Sequence, residues 1–489
     1  MIAAVAPGPH ASVAPPRPPA GLPAWQLRDA VACGELRVVD VVSAHLDRLD
    51  EVQPVLNAAV AVRRAAALAE ARELQAALDD GAPPGLLCGV PFTVKDVIAT
   101  ADLPSRCGSA AFADNRQGAD AAAVARLRAA GAILIAKTAC PEFAFGVTTD
   151  NPVEGVTRNP WGAHSAGGSS GGEAALIGAG ASALGIGTDY GGSLRWPAQS
   201  CGVLAVRPGE RRVDGTGQLP ERGGRMDGRA GDGGDLDAEL SVQRRFQVVG
   251  PLARTVRDLA LALGVLADDA TLVRLASAPA PPASAVGWTV TESSQAVGAG
   301  VADAVVAAVA RLAEAGIAVV HAPTVLDGLH HAFNALRDTD PLADLRRAVG
   351  DRLDLVGPGA RRTLDTAPVS LADPGPLWAA LDRLRDGVLA QLDRTPVLIV
   401  PVAPAAACAL DGTATVDGTL LTAFELMAQC RAVSALRLPA LSIPVGQAGG
   451  LPVSVQVVAG PGREDLVLGI GLLLEQLLGG AQEPPWLSP

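Results

Sequence analysis

The chain has 489 residues, 49% of them hydrophobic, so it carries ample material for a buried core and wholesale disorder is excluded. Its formal net charge of -12 makes it a poor autonomous nucleic-acid binder, because phosphate contacts need a surplus of basic residues. The seven Cys are scattered without a CxxC spacing, which argues against a disulfide framework or a zinc ribbon and favours a reducing, cytoplasmic setting. At roughly 150 residues per domain, the length allows about three domains or one large α/β domain.

Residues 1–24 are rich in Pro and Ala and lack a basic stretch before an apolar one, so they are expected to form a flexible N-terminal tail, not a signal peptide. Residues 25–489 are expected to form a single folded domain. Helical spacing predicts a helix over 58–79, closed by Asp80-Gly81. Gly89–Asp96 is an apolar, strand-like run that carries Lys95 into a buried position. A helix over 119–130 ends at Gly131, and Ile133–Ala136 follows as a buried strand. Glu173–Ile177 suits a helix start and Leu184–Ile186 a short strand. Residues 209–247 are Gly-, Arg- and Asp-rich and read as a long polar loop, either functional or disordered. Residues 301–315 form a helix that ends at Gly316, with a strand over Ile317–His321. Around Leu326–Leu345, Phe333 and several Leu either pack a helix or line an apolar pocket. Two strands, Leu441–Val445 and Val453–Val458, flank the Gly449-Gly450 turn, and a helix over 464–478 closes the chain. The recurring helix–Gly–strand phrase predicts a mixed α/β architecture. No segment offers the roughly 18 uninterrupted apolar residues of a membrane span.

Only two of the 39 basic residues are Lys, at 95 and 137. Mutational bias toward Arg explains the shortage, yet Arg stays charged whereas a desolvated Lys can lose its proton. A buried Lys usually marks function, since its charge must be paired or given up. The densest signal, Ala166–Pro208, holds two Gly-Gly-Ser blocks that end at Ser169 and Ser193. Tight turns and close packing alone explain a single such block. A phosphate-cradling loop would also require Gly-Lys-Ser/Thr, and no Lys occurs here. Gly167-Gly168-Ser169-Ser170-Gly171 fits a nucleophile elbow, which needs a later His; only His321, His330 and His331 lie downstream. A third reading pairs both Ser with a Lys base.

Gly89–Asp96 (GVPFTVKD), Ala136–Phe143 (AKTACPEF), Asn159–Trp161, the 166–208 segment, Val249–Thr255 and Leu438–Pro444 follow one another in that order. In these stretches the chain resembles the amidase signature family. The resemblance implies a large mixed twisted β-sheet of about eleven strands surrounded by α-helices. It also implies an amidase working through an acyl-enzyme. Ser193 is the expected nucleophile, Ser169 the bridging Ser after a cis Gly168–Ser169 peptide, and Lys95 the base. The backbone N–H groups of Tyr190, Gly191, Gly192 and Ser193 are the expected oxyanion hole, which leaves the Tyr190 phenol to shape the pocket. Asp189, Arg195, Lys137, Glu142 and Glu173 are expected to be structural charges. No cofactor or metal is implied. The expected partner is a small-molecule amide, with no nucleic acid bound directly, no membrane, and a homodimer compatible with the sequence. The alternatives are the A subunit of a tRNA-dependent amidotransferase, or a biosynthetic acyltransferase or amide-forming enzyme using the same acyl-enzyme. Three departures bear on substrate preference: Ala166 stands where the family has Pro, Arg207-Pro208-Gly209 where it has Lys-Pro-Thr, and the 209–247 loop is long and polar compared with common members.

Overall fold

The computed structural model describes residues 18–219, 241–278, 283–290, 296–371, 373–481 and 483–484. Eleven strands form one sheet: β1 (Ala59–Val62), β2 (Pro91–Lys95), β3 (Ile133–Thr138), β4 (Leu184–Asp189), β5 (Leu204–Arg207), β6 (Val248–Ala253), β7 (Ala285–Trp288), β8 (Ala318–His321), β9 (Val397–Pro401), β10 (Ala440–Ala448) and β11 (Leu451–Ala459). Their spatial order is β1-β3-β2-β4-β6-β5-β10-β11-β9-β7-β8. β3, β2 and β4 run parallel, as do β9, β7 and β8, and the strands between β4 and β9 pair antiparallel. The mixed α/β sheet expected from sequence is therefore present. The central strands are buried on both faces and read as near-continuous apolar runs, as in Val397–Pro401 and Val453–Val458.

The predicted closing hairpin and the helix Glu464–Leu478 appear where expected. The helix predicted over 58–79 does not start at 58. Ala59–Val62 is the edge strand β1, paired antiparallel with β3, and the helix spans Arg64–Asp79. Val60 and Val62 are β-branched and meet an open sheet edge, so tertiary pairing overrides the helix propensity of the Ala-rich context. The loop expected over 209–247 falls mostly outside the described residues; its end, Val242–Phe246, is a short helix capped by Ser241. Of the expected 1–24 tail, 1–17 lie outside the described residues, and 18–24 are docked. Ala20 and Ala24 are buried, and the Leu22 carbonyl accepts a hydrogen bond from Arg254 at 2.7 Å.

Four helices frame the centre of the sheet: α1 (Gly171–Gly178), α2 (Arg195–Cys201), α3 (Leu329–Arg337) and α4 (Ala428–Leu436). α1 lies close against β4 because Gly187 has no side chain there. A Cβ on Gly187 would sit 2.7 Å from Ser170 Oγ. Glu173, on α1, is buried and accepts hydrogen bonds from Thr93 Oγ1 of β2 (2.5 Å) and Thr138 Oγ1 of β3 (2.7 Å). Thr93 and Lys95 are two residues apart on β2, so they share the face turned to α1. The helix is thereby fixed over the strand ends. In a parallel α/β region the carboxyl ends of the strands are where sites form, and Lys95 and Asp189 are the last residues of β2 and β4.

Candidate active site

Lys95 is fully buried, and its amine donates to Ser169 Oγ at 2.6 Å and to Thr188 Oγ1 at 2.9 Å. Burial pulls the amine down to about 8, against the raising influence of the nearby Cys140, Asp189 and Glu173. The amine can therefore shed its proton near neutral pH, which an Arg at this position could not. Burial likewise raises the Glu173 carboxyl to about 8, against its two Thr hydrogen bonds and the Lys95 charge. The peptide bond Gly168–Ser169 is cis. Ser169 is buried, and the next residue, Ser170, donates its N–H to the Ser193 carbonyl at 3.2 Å, joining the two Gly-Gly-Ser blocks.

Ser193 lies on the turn between β4 and α2 and is half-buried. Its hydroxyl makes no hydrogen bond to a described residue, so Lys95–Ser169 is made in this state and Ser169–Ser193 is not. Catalytic hydrogen bonds often close only when substrate is bound.

The turn is held from below by Asp189. Its carboxylate accepts from the Gly192 N–H (2.9 Å) and the Leu194 N–H (3.1 Å), and from Arg195 Nε (3.0 Å) and Nη2 (2.9 Å). Burial alone would raise this carboxyl, but Arg195, with help from Arg207, holds it at about 2. Arg195 also reaches across the fold to the Cys430 carbonyl, Gln456 Oε1 and Ser434 Oγ. The Gly192 N–H, one of the four amides expected to form an oxyanion hole, is thus already engaged by Asp189.

Gly192 has φ +122°, and a Cβ there would lie 2.5 Å from the Cys430 Cβ and 2.6 Å from the Met427 Cε. Gly192→Ala should therefore destabilise the fold by about 2–4 kcal/mol, from overpacking together with a backbone conformation that L-residues avoid. A melting temperature unchanged from wild type would contradict this.

The remaining charges are paired or hydrogen-bonded. Lys137 pairs with Asp96 at 3.3 Å and donates to Ser105 Oγ at 2.6 Å, all of it buried. Glu142 accepts from Ser109 Oγ (2.6 Å) and from the Gly357 N–H, pinning a distant loop. Thr188 was not singled out from sequence. It lies within the G-T-D-x-G-G-S run, and a signal for it was available: a buried amine needs more than one hydrogen-bond partner. Phe333 belongs to α3 and is fully buried, with its ring 5.0 Å from that of Tyr190, so it packs the helix against the residue that opens the Ser193 turn. Among the described residues no cluster of three or more His, Cys, Asp or Glu could hold a metal ion.

A family model described as Amidase matches residues 40–358 and 378–468. The chain belongs to the amidase signature family. Among curated proteins it is 41% identical to the glutamyl-tRNA(Gln) amidotransferase A subunit of Nitratidesulfovibrio vulgaris (strain DP4), over 49% of this chain and 45% of that one. In that match the chain spans about half the length of its relative. The chloroplastic/mitochondrial glutamyl-tRNA(Gln) amidotransferase A subunit of Zea mays is 30% identical over 94% of this chain and 90% of that one. A solved amidase superposes with a TM-score of 0.81 at 27% identity, over 94% of this chain and all (100%) of that one. No helix among the described residues is long and apolar enough to cross a membrane.

Proposed function

We propose that this amidase-family chain cleaves a carboxamide through an acyl-enzyme on Ser193. The observation that carries the reading is a fully buried Lys95 amine, lowered to about 8, in hydrogen-bond contact with Ser169 beside the Ser193 turn. As Ser193 Oγ attacks the carbonyl carbon, its proton passes to Ser169 Oγ while the Ser169 proton passes to Lys95 Nζ. The oxyanion that forms is stabilised by the free N–H groups of the turn. The Lys95 ammonium then returns a proton through Ser169 to the leaving nitrogen, the C–N bond breaks, and water hydrolyses the ester by the same relay in reverse. Asp189 and Arg195 position the turn and exchange no proton. The seven unpaired cysteines suit a reducing compartment such as the cytoplasm.

The test is mass spectrometry of the protein quenched during turnover of a mixed amide panel. An acyl adduct on Ser193 is expected; turnover with the adduct on another residue, or with none trapped even at acid quench, would count against it.

The names of the curated relatives favour a second reading, in which the same chemistry releases ammonia from an amide donor to a partner, as in an amidotransferase. Both readings share the acyl-enzyme and differ in the acceptor and the assembly. Amide hydrolysis by the isolated chain, with no partner retained on pulldown, would eliminate the second.

A further inference from the structure

On α4, one residue beyond the Cys430 that packs on Gly192, stands Arg431. Its Cγ would lie 3.3 Å from a Cβ on Gly191, so its stem leans on the Ser193 turn. Nη1 donates to Asn334 Oδ1 at 3.1 Å and to the Phe424 carbonyl at 3.5 Å, and the guanidinium lies over the Phe424 ring at 5.7 Å. Asn334 is itself fixed, donating Nδ2 to the His330 carbonyl at 2.7 Å. Nε and Nη2 of Arg431 have no partner among the described residues, and no described carboxylate lies within ion-pair distance.

The neighbouring charges are already committed. Arg337 pairs with Asp338 at 2.6 Å, and Asp340 accepts the Gln243 and Leu342 N–H groups. Burial, with the nearby Arg337, pulls the Arg431 guanidinium down to about 10, as for a cation short of a counter-charge. The Tyr190 hydroxyl, which interacts electrostatically with Asp340, Arg337, Arg431 and Asp338, also has no hydrogen-bond partner among the described residues, while its ring is fixed against Phe333. A half-buried Arg packed against the Ser193 turn and a Tyr hydroxyl on it, both with donors that no described residue takes up, form a donor set suited to a carboxylate.

We infer that Arg431, assisted by the Tyr190 hydroxyl, binds a carboxylate on the acyl part of the substrate, so that the enzyme prefers amides of dicarboxylic acids. The inference rests on the Ser193 reading above. The acyl side follows from the layout. Ser170, the neighbour of the Ser169 that would return the proton to the leaving nitrogen, bonds the Ser193 carbonyl from the α1 side, and Arg431 meets the turn from the α4 side. Arg431 is thus a specificity residue and takes no part in proton transfer.

The test separates binding from turnover. Succinamate, glutaramate and adipamate are titrated by calorimetry into the full-length Ser193→Ala protein, each beside its neutral counterpart butanamide, pentanamide or hexanamide. At least one acid should bind about 10- to 100-fold tighter than its counterpart at low salt, as a charge-assisted hydrogen-bonded pair allows. Adding Arg431→Gln should erase that ratio, Arg431→Lys should restore part of it, and Tyr190→Phe should reduce it. No acid bound in preference to its counterpart, or a preference that survives Arg431→Gln, overturns the inference. Because the ratio is read first on a chain with Arg431 intact, misfolding of one variant does not protect it. Turnover of the same amides by the Ser193 protein is scored separately: binding preference without turnover defeats the acyl-enzyme and keeps the anchor, and turnover without preference does the reverse.

Discussion

Ser193→Ala should lower amide turnover by about 10⁴-fold or more while leaving the protein folded. The loss is large because the residue supplies the atom that bonds to the acyl carbon, and nothing adjacent can replace it. The Ser170 hydroxyl is buried and donates to the Thr188 carbonyl, and Ser169 is committed to Lys95. The fold should survive because Ser193 is half-buried and its hydroxyl bonds no described residue, so its removal orphans no polar partner. A melting temperature close to wild type, with loss of labelling by a serine-reactive phosphonate, is the expected pair of results. Labelling that persists in Ser193→Ala would move the nucleophile elsewhere, and the reaction scheme with it.

The second large effect belongs to Lys95. Lys95→Ala should cost about 10³- to 10⁴-fold in kcat/KM, the range of a positioned general base. Lys95→Arg should fare no better, because a guanidinium stays charged and cannot accept the Ser169 proton. The pH dependence has a definite sign. The free enzyme is competent only with a neutral amine, so wild-type kcat/KM should rise with pH and level off above about 8. That ascending limb should be absent from the residual activity of Lys95→Ala. Stability has a linked sign. The folded amine, at about 8, sits below its ordinary value of 10.5. Between those two values the unfolded chain binds more protons, so this group's contribution to stability increases with pH across that window and is at its worst below it. Denaturant melts of wild type against Lys95→Met from pH 7 to about 10.5 read this directly, and parallel curves would refute the assignment.

The features legible in sequence were those whose chemistry is local. Two Gly-Gly-Ser blocks and a lone Lys in an apolar strand announce themselves, because turns need Gly and a buried amine is costly. The closing hairpin and helix were legible from alternation, a Gly-Gly turn and helical spacing within one stretch of chain. Ala59–Val62 was not, because what makes it a strand is the free edge of β3, which comes about 75 residues later. Asp189 capture of the Gly192 N–H escaped notice for a related reason: four amides in a row look equivalent until the carboxylate is placed beneath one of them. Arg431 was invisible among so many Arg. Nothing nearby in the chain distinguishes it, and its significance comes from α4 packing on a turn some 240 residues earlier.

The Arg195 contacts also bear on biosynthesis. The Ser193 turn is braced by bonds to Cys430, Ser434 and Gln456, and the Ser442 hydroxyl donates to the Arg195 carbonyl. All four lie between 235 and 261 residues after Arg195. A nascent polypeptide still emerging from the ribosome can already contain Lys95 and both serines, yet it lacks the struts that shape the turn. On the proposed mechanism, reactivity should therefore switch on only after these later elements are made, so a half-made chain should not attack amides, its own included.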